Sequence, residues 1–427
     1  MSTAAEHRPI HVMAKAAGAA CNMRCDYCYY LDKERLYKQD EDPTPRTMMP
    51  EDFLERYIRQ YIEAQPKDTP VTFTWHGGEA LLRPLSFYRK AIELQQRYGE
   101  GRLIENTLQT NGLLVSKEWC DFFREHHFLV GISLDGTKEM HDRYRRTVSG
   151  LPTFERVMRG VKLLQDGGVD FNILATVHRF NADEPLEFYH FLKAIGNPYI
   201  QFAPIVERLR PGAKRHAFVE APFITERPEE RELHADEEVI LAPYSVQPEQ
   251  WGYFITTIFD EWVRQDVGRY FIQLFDATLA NWVGVPPGVC IFTSECGHAA
   301  ALEHNGDLYS CDHFVYPRYR LGNIAEQPIR SLMDQPEQLR FGRAKRTGLT
   351  RQCQECEYLF ACWGECPKNR FGYSLEGEPG HNYLCKGYYQ YWDHVAPYMD
   401  YMKACLMQEL PPAQVMQWAR MQDGRNT

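Results

Sequence analysis

Through the first half of the chain, short runs rich in β-branched and aromatic residues alternate with amphipathic stretches at helical spacing. The runs "PVTFTWHGGE" (70–79), "RLIENTLQTNG" (102–112), "FLVGISLDG" (128–136), "DFNILATV" (170–177) and "YIQFAPIVE" (199–207) read as strands. Several end in Gly or Asn-Gly, as exits from strand to loop do. Between them, "PEDFLERYIRQYIEAQ" (50–65), with Pro at the first turn, and "TFERVMRGVKLLQDGG" (153–168), closed by Gly, read as helices. Strand alternating with helix implies parallel strands in an α/β barrel or open sheet. With "HVMAK" (11–15) as the first strand the count is about six β/α units, short of the eight that close a full barrel.

The rhythm breaks at residues 208–245, rich in Pro, Glu and charge. They read as an exposed insertion or linker at the end of a first domain spanning 1–245, either a solvated loop or a binding lid. "PEQWGYFITTIFDEWVRQDV" (248–267) resumes as a helix within a connector, 246–289. From Cys290 the sequence turns short, turn-rich and cysteine-dense, which predicts a small metal-dependent domain over 290–400, followed by a tail, 401–427.

A chain of 427 residues accommodates a barrel-sized domain and a smaller one. The excess of 58 acidic over 48 basic residues disfavours nucleic acid as a partner. No signal-peptide core is evident and no run reaches the roughly 18 apolar residues of a membrane span, so the reading is a cytoplasmic protein without membrane attachment. Thiols stay reduced there. Thirteen clustered cysteines therefore point to metal rather than disulfides.

The first cluster, Cys21, Cys25 and Cys28 in "CNMRCDYC", has only three thiols in C-x3-C-x2-C spacing. A [4Fe–4S] cluster normally takes four thiolates. Three leave one iron open, able to chelate the amino and carboxylate groups of a methionine moiety. On a loop just after a first strand, this spacing resembles the signature of the radical S-adenosylmethionine (SAM) enzymes. "GGE" (77–79), "QTNG" (109–112) and "SLDG" (133–136) follow at successive strand ends in the order that family shows. The resemblance implies a partial (β/α)6 TIM-type barrel. It also implies SAM contacts from Gly77, Gly78 and Glu79, whose backbone would hold the amino group, and from Ser133, Asp135 and Tyr27. The competing reading is a structural zinc site completed by His11 or another residue, with GGE and SLDG as plain tight turns.

Eight further cysteines follow: Cys290, Cys296 and Cys311, then Cys353, Cys356, Cys362 and Cys366, then Cys385. Eight thiolates suit two fully ligated clusters. The pattern resembles the SPASM extension of radical SAM proteins, which implies a crossed arrangement. Cys290, Cys296, Cys311 and Cys366 would hold one auxiliary [4Fe–4S] cluster; Cys353, Cys356, Cys362 and Cys385 would hold the other. Three [4Fe–4S] clusters and SAM are then the expected cofactors. A zinc ribbon explains only "CQEC" (353–356). Cys120 and Cys405 read as packing residues.

Segments such as "HVMAKAAGAACNMRCDYCYYL", "FIQLFDATL" and "LFACWGECPKNRF" resemble the anaerobic sulfatase-maturating enzymes across nearly the whole chain. That family oxidises a Cys or Ser in a C/S-x-P-x-R context to Cα-formylglycine through a 5′-deoxyadenosyl radical. Asp312, after Cys311 in "CDHF", matches its catalytic acid/base, and a mere loop carboxylate is the bland alternative. His76 and Ala80 stand where the family commonly has Gln and Pro, and His76 reads as a local structural substitution. Expected partners are an unfolded or nascent sulfatase polypeptide and an electron donor such as flavodoxin or ferredoxin, with the Glu-rich 226–238 a candidate surface for the target's Arg. Competing readings are a SPASM maturase forming thioether or carbon–carbon crosslinks in a ribosomal peptide, a radical SAM RNA modifier, and a non-enzymatic iron–sulfur electron carrier.

Overall fold

The computed structural model describes residues 8–37, 48–212, 218–221 and 239–423. Six parallel strands, β1 (His11–Lys15), β2 (Val71–His76), β3 (Ile104–Thr110), β4 (Phe128–Ser133), β5 (Phe171–Val177) and β6 (Tyr199–Pro204), lie side by side in chain order. Helices α1 (Glu51–Glu63), α2 (Leu85–Gly99), α3 (Lys117–Glu125), α4 (Lys138–Tyr144), α5 (Phe154–Asp166) and α6 (Pro185–Ile195) make the crossovers. All six strands fall within the runs the sequence marks out.

Period-two alternation divides each strand between two environments. In β2, Val71, Phe73 and Trp75 are fully buried, whereas Thr72, Thr74 and His76 are only half-buried. The apolar set meets the helices: Tyr57 of α1 and Tyr88 of α2 stand edge-on to Trp75, with ring centroids 5.9 and 5.6 Å away. Each such ring contributes roughly 2–3 kcal/mol by leaving water. The opposite face is polar. There the Thr74 and Thr107 hydroxyls meet at 2.9 Å, and Gln109 Nε2 donates to Ser133 Oγ at 3.1 Å. A polar inner face suits a reaction chamber better than a packed barrel core.

Beyond β6, a ribbon of β7 (Arg208–Leu209) and β8 (Ile240–Leu241) leads to α7 (Pro248–Gln265). Then β9 (Phe271–Ile272) pairs with β6, and α8 (Gln273–Val283) follows. The other edge is covered by the cysteine-rich part: β10 (Ala299–Glu303) runs parallel to β1, with β11 (Asp307–Tyr309) and β12 (Arg320–Asn323) antiparallel beyond it. One ten-stranded sheet thus crosses the boundaries expected at residues 245 and 290.

Two sequence expectations need correction. The described part of the 208–245 insertion is only partly exposed: Arg210, Pro211, Gly212, Ile240 and Pro243 face solvent, but others pack inward. Val219, Ala221, Ala242 and Tyr244 are buried, Ala221 beside Phe314 and Tyr319, and Tyr244 beside Met23 and Tyr27. Charge dominated the reading of this segment, and its few apolar residues do the packing; the Glu-rich 226–238 lies outside the described residues. Nor are the described residues 401–423 a tail. The helix Cys385–Met407 runs through residue 400 and packs along α7 so closely that a Cβ on Gly387 would lie 2.1 Å from Pro248 O. The helix Val415–Asp423 then returns to α7, burying Val415 and Ala419 and pairing Asp423 with Arg264 at 2.8 Å.

Candidate functional site

The loop holding Cys21, Cys25 and Cys28 leaves the C-terminal end of β1 and lies against the exit of β2. Gly78 N donates to Gly18 O and Glu79 N to Ala20 O, both at 2.8 Å. A Cβ on Gly78 would lie 2.2 Å from Ala20 O, so only glycine lets the two backbones meet. Gly77, at φ +155°, lies against Gly18. The Glu79 side chain is fully buried and accepts from Leu81 N (3.0 Å), Thr110 Oγ1 (2.7 Å) and Asn111 N (2.8 Å). Burial lifts its carboxyl above the usual range although all three bonds oppose it. Glu79 rivets the exits of β2 and β3 together, and the N–H groups of Gly78 and Glu79 tie this turn to the cysteine loop.

Tyr27 and Asp135 form a second rivet. The Tyr27 hydroxyl donates to Asp135 Oδ2, which also accepts from Arg145 Nε at 2.8 Å, while Oδ1 accepts from Thr176 N at 2.9 Å. Burial would raise the Asp135 carboxyl, but the Arg145 guanidinium outweighs it and holds the group below the ordinary carboxylate range. The cysteine loop is thereby tied to the ends of β4 and β5. Ser133 lies at the same rim with its hydroxyl taken by Gln109.

Burial pushes the Cys21 thiol up to about 12 and raises Cys25 and Cys28 as well. Thiols so placed become thiolates only when an electropositive group binds them. His11 stands at the far end of β1, roughly 13 Å along the strand from Lys15 at the usual rise per residue. It is therefore remote from the loop, and the zinc reading loses its fourth ligand. No three His, Cys, Asp or Glu among the described residues converge on a single ion. Three thiols spaced wider than one ion allows, with no fourth side chain, fit an iron–sulfur core with one open iron.

The later cysteines gather in two sets. The Cys311 thiol, raised by burial, feels Cys290 and Cys366 most among its charged neighbours, and Cys290 also faces Cys296. Beside this set Lys345, fully buried, donates from Nζ to Cys290 O and Ile291 O at 2.7 Å each. Cys353, Cys356, Cys362 and Cys385 line one cavity of about 300 Å³ with His381, Tyr388 and Trp392. The Arg370 guanidinium is buried within reach of thiols from both sets and donates to Lys345 O at 2.6 Å. Two groups of four thiols, one around an open space, fit two fully ligated clusters. Cys120 and Cys405 are buried apart from both.

Asp312 lies between the cysteine sets. Lys15 Nζ reaches its Oδ1 at 2.5 Å, and the Tyr29 hydroxyl donates to Oδ2. Burial would raise this carboxyl, yet Lys15, His76 and His313 together hold it well below the usual range. His76 accepts from Gly77 N through Nδ1 at 2.8 Å, and burial followed by the Lys15 charge lowers it to about 4, so its ring is neutral near pH 7. His313, lowered to about 4 by burial and Lys368, is neutral as well. Behind them Lys368 pairs with Glu207 beyond β6, and Lys33, pushed down to about 8 by burial, sits 3.3 Å above the Tyr316 ring. The buried cations Lys15, Lys33, Arg145, Lys345 and Arg370 were not singled out from sequence. Only "HVMAK" carried a signal, a lysine closing an apolar strand.

Family comparisons agree with this layout. Residues 17–192 match the radical SAM superfamily, and residues 294–357 match an iron–sulfur cluster-binding domain. A serine-type anaerobic sulfatase-maturating enzyme of Bacteroides thetaiotaomicron is 53% identical over 410 residues, 96% of this chain and 95% of the relative. One from Klebsiella aerogenes is 35% identical over 91% of this chain and 86% of its own. Among solved structures, native anSMEcpe with bound AdoMet and Cp18Cys peptide aligns at TM-score 0.78 with 25% identity, covering 93% of this chain and 100% of that one.

Proposed function

The chain belongs to the anaerobic sulfatase-maturating enzymes, a radical SAM group with iron–sulfur clusters, and from that premise we propose how its residues divide the work. It is an enzyme that oxidises a Cys or Ser of a sulfatase polypeptide to Cα-formylglycine, using SAM and multiple [4Fe–4S] clusters. Ser is the target assigned here, supported by the higher identity to serine-type relatives.

Cys21, Cys25 and Cys28 hold the SAM-binding cluster, a reading supported by their open three-thiol loop against the Gly77–Gly78 backbone. Cys290, Cys296, Cys311 and Cys366 hold one auxiliary cluster and Cys353, Cys356, Cys362 and Cys385 the other, supported by the two groupings of thiols. Turning a Ser CH–OH into an aldehyde removes one hydrogen atom from Cβ, one proton from oxygen, and one electron. When bound, SAM and the clusters supply the hydrogen-atom acceptor and the electron sink. Asp312 takes the proton. The observation that carries this role is its buried, partnered carboxylate standing directly after Cys311 while 17% of the side chain stays open.

The protein works in the reducing cytoplasm with a small electron-transfer protein such as flavodoxin or ferredoxin as donor. The clustering of its cysteines in metal-ligand spacings rather than disulfide pairs supports the compartment. A net charge of −10 argues against nucleic acid, and among the described residues no helix is long and apolar enough to cross a membrane.

The test is anoxic. Reconstituted protein, SAM, reductant and paired peptides carrying S-x-P-x-R or C-x-P-x-R are incubated and the peptide masses read. Hydrazide-trapped aldehyde on the Ser peptide, matched by 5′-deoxyadenosine, is expected, with Asp312→Asn losing it. Deoxyadenosine without aldehyde on either peptide would transfer the radical chemistry to a different peptide substrate.

A further inference from the structure

Lys15 has no exposed surface, and its Nζ meets three partners: Asp312 Oδ1 at 2.5 Å, His76 Nδ1 at 3.2 Å and the face of the Tyr30 ring at 4.3 Å. The contact with Asp312 is an ion pair rather than a hydrogen bond, since buried Oδ1 finds no hydrogen-bond donor, and the ring nitrogen and the ring face complete the surroundings of the ammonium. Lys15 and its register neighbours, His76 on β2 and Glu303 on β10, share the inner face of the sheet. Glu303 is the obvious counter-ion by position, yet its carboxylate accepts the Tyr30 hydroxyl and the lysine turns to Asp312 instead.

We infer that Lys15 is a positioning residue of the oxidation: from the end of β1 it fixes the Asp312 carboxylate at the mouth of the chamber. Asp312 belongs to the cysteine-rich part and Lys15 to the barrel, so this contact places the proton acceptor of one over the radical site of the other. Exposure divides the roles. The Asp312 side chain keeps 17% of its surface and Lys15 none, so substrate reaches the carboxylate and never the ammonium. Oδ1 is held by Lys15 and Oδ2 is steadied by Tyr29, which leaves one face of the carboxylate to meet a hydroxyl. Neutral His76 caps the ammonium from the opposite side without competing for its charge.

The inference rests on the proposed role of Asp312, and the test separates the two. Lys15→Met and Lys15→Gln, with Asp312→Asn and the double Lys15→Met/Asp312→Asn, are reconstituted anoxically. Iron and sulfide, peptide aldehyde and 5′-deoxyadenosine are measured for each. Hydrogen abstraction and proton removal are separate events served by different groups, so loss of Lys15 is expected to uncouple them. Lys15→Met is expected to lower aldehyde formed per deoxyadenosine at least tenfold, a part of the roughly 10²–10⁴ that a positioned acid or base supplies, because the carboxylate itself is kept. The peptide KM stays within about twofold, because Lys15 does not touch substrate. Iron content is unchanged, and the double variant is no worse than Asp312→Asn alone. Lys15→Gln retains donors but no charge and falls between Lys15→Met and the parent. Should Lys15→Met load iron poorly, Lys15→Gln decides by the same ratio. Aldehyde and deoxyadenosine falling together, or a double variant showing the product of the two single defects, overturns the inference. An Asp312→Asn variant with an undiminished ratio overturns the role of Asp312 itself.

Discussion

Replacing Arg145 by Met tests how the first cysteine loop is held. In the parent, Asp135 is fully buried, and its Oδ2 receives both Arg145 Nε at 2.8 Å and the Tyr27 hydroxyl. At that separation the attraction is of order 6 kcal/mol at an effective dielectric constant of about 20. Most of it offsets the cost of desolvating both charges, so the useful quantity is the cost of removing one partner, about 3–5 kcal/mol for a buried pair. Tyr27 sits between Cys25 and Cys28, so that cost falls on opening of the loop. Cys25, only 8% exposed, reports it. In iron-free protein its alkylation proceeds through the open state, where the thiol has ordinary reactivity in either variant. The rate then scales with the opening equilibrium and rises about 10²- to 10³-fold, each 1.4 kcal/mol being a factor of ten. The lost charge also raises the folded-state thiol further, which opposes labelling, but it vanishes on opening, so access wins. Cys120, 1% exposed beneath Gly167, serves as the internal reference and changes little. Arg145→Met/Asp135→Asn removes the orphan charge and restores most of the protection. Cys25 labelling within about threefold of the parent, against the 10²-fold expected, would refute the reasoning. So would Cys120 rising in step, which would signal global unfolding.

Gly78→Ala places a methyl 2.2 Å from Ala20 O, a backbone atom that cannot yield without shifting the cysteine loop. Iron per reconstituted chain is expected to fall by about a third, the share of one cluster in three, with the auxiliary clusters intact. Lys345→Met strips two donors from the Cys290 turn; the expected loss is again about one cluster's iron, this time with SAM binding retained. Four histidines, His76, His178 and His313 near 4 and His141 near 3, are lowered first by loss of solvent. Unfolded histidines titrate near 6.5, so the unfolded state takes up more protons between that value and about 4. Stability is therefore full above roughly pH 6.5 and falls by up to about 1.4 kcal/mol per pH unit per histidine as pH drops through this window. His178→Asn should flatten the slope of a pH series of thermal melts by one proton.

Local chemistry was legible in the sequence and distant pairing was not. β1 falls on the predicted His11–Lys15, and the other barrel strands sit inside their predicted runs, because alternation and glycine exits are written within a few residues. The cysteine spacings were equally local. Glu79 was expected at the SAM site for its backbone, and its side chain turns out to be a rivet to Thr110 and Asn111, 31 and 32 residues away. Arg145, Lys345 and Arg370 look like ordinary surface cations in sequence; only folding shows them walled in beside carboxylate, carbonyls and thiols. The junction of β10 with β1 joins residues nearly three hundred positions apart, beyond any periodicity.

That junction also joins the two cysteine-bearing parts of the chain through backbone alone. β10 lies beside β1 from His11↔Ala299 to Lys15↔Glu303, a continuous ladder with the loop of Cys21 leaving β1, while Cys311 follows β11, the strand that returns antiparallel to β10. There is no hinge at this seam. The register of one strand against the other is ruled off in steps of about 3.3 Å, like marks on a gauge block. At the opposite rim β9 adds only two paired residues to β6. A single residue deleted within β10 would turn its side chains to the wrong face, leaving an enzyme with all its iron and a broken ruler.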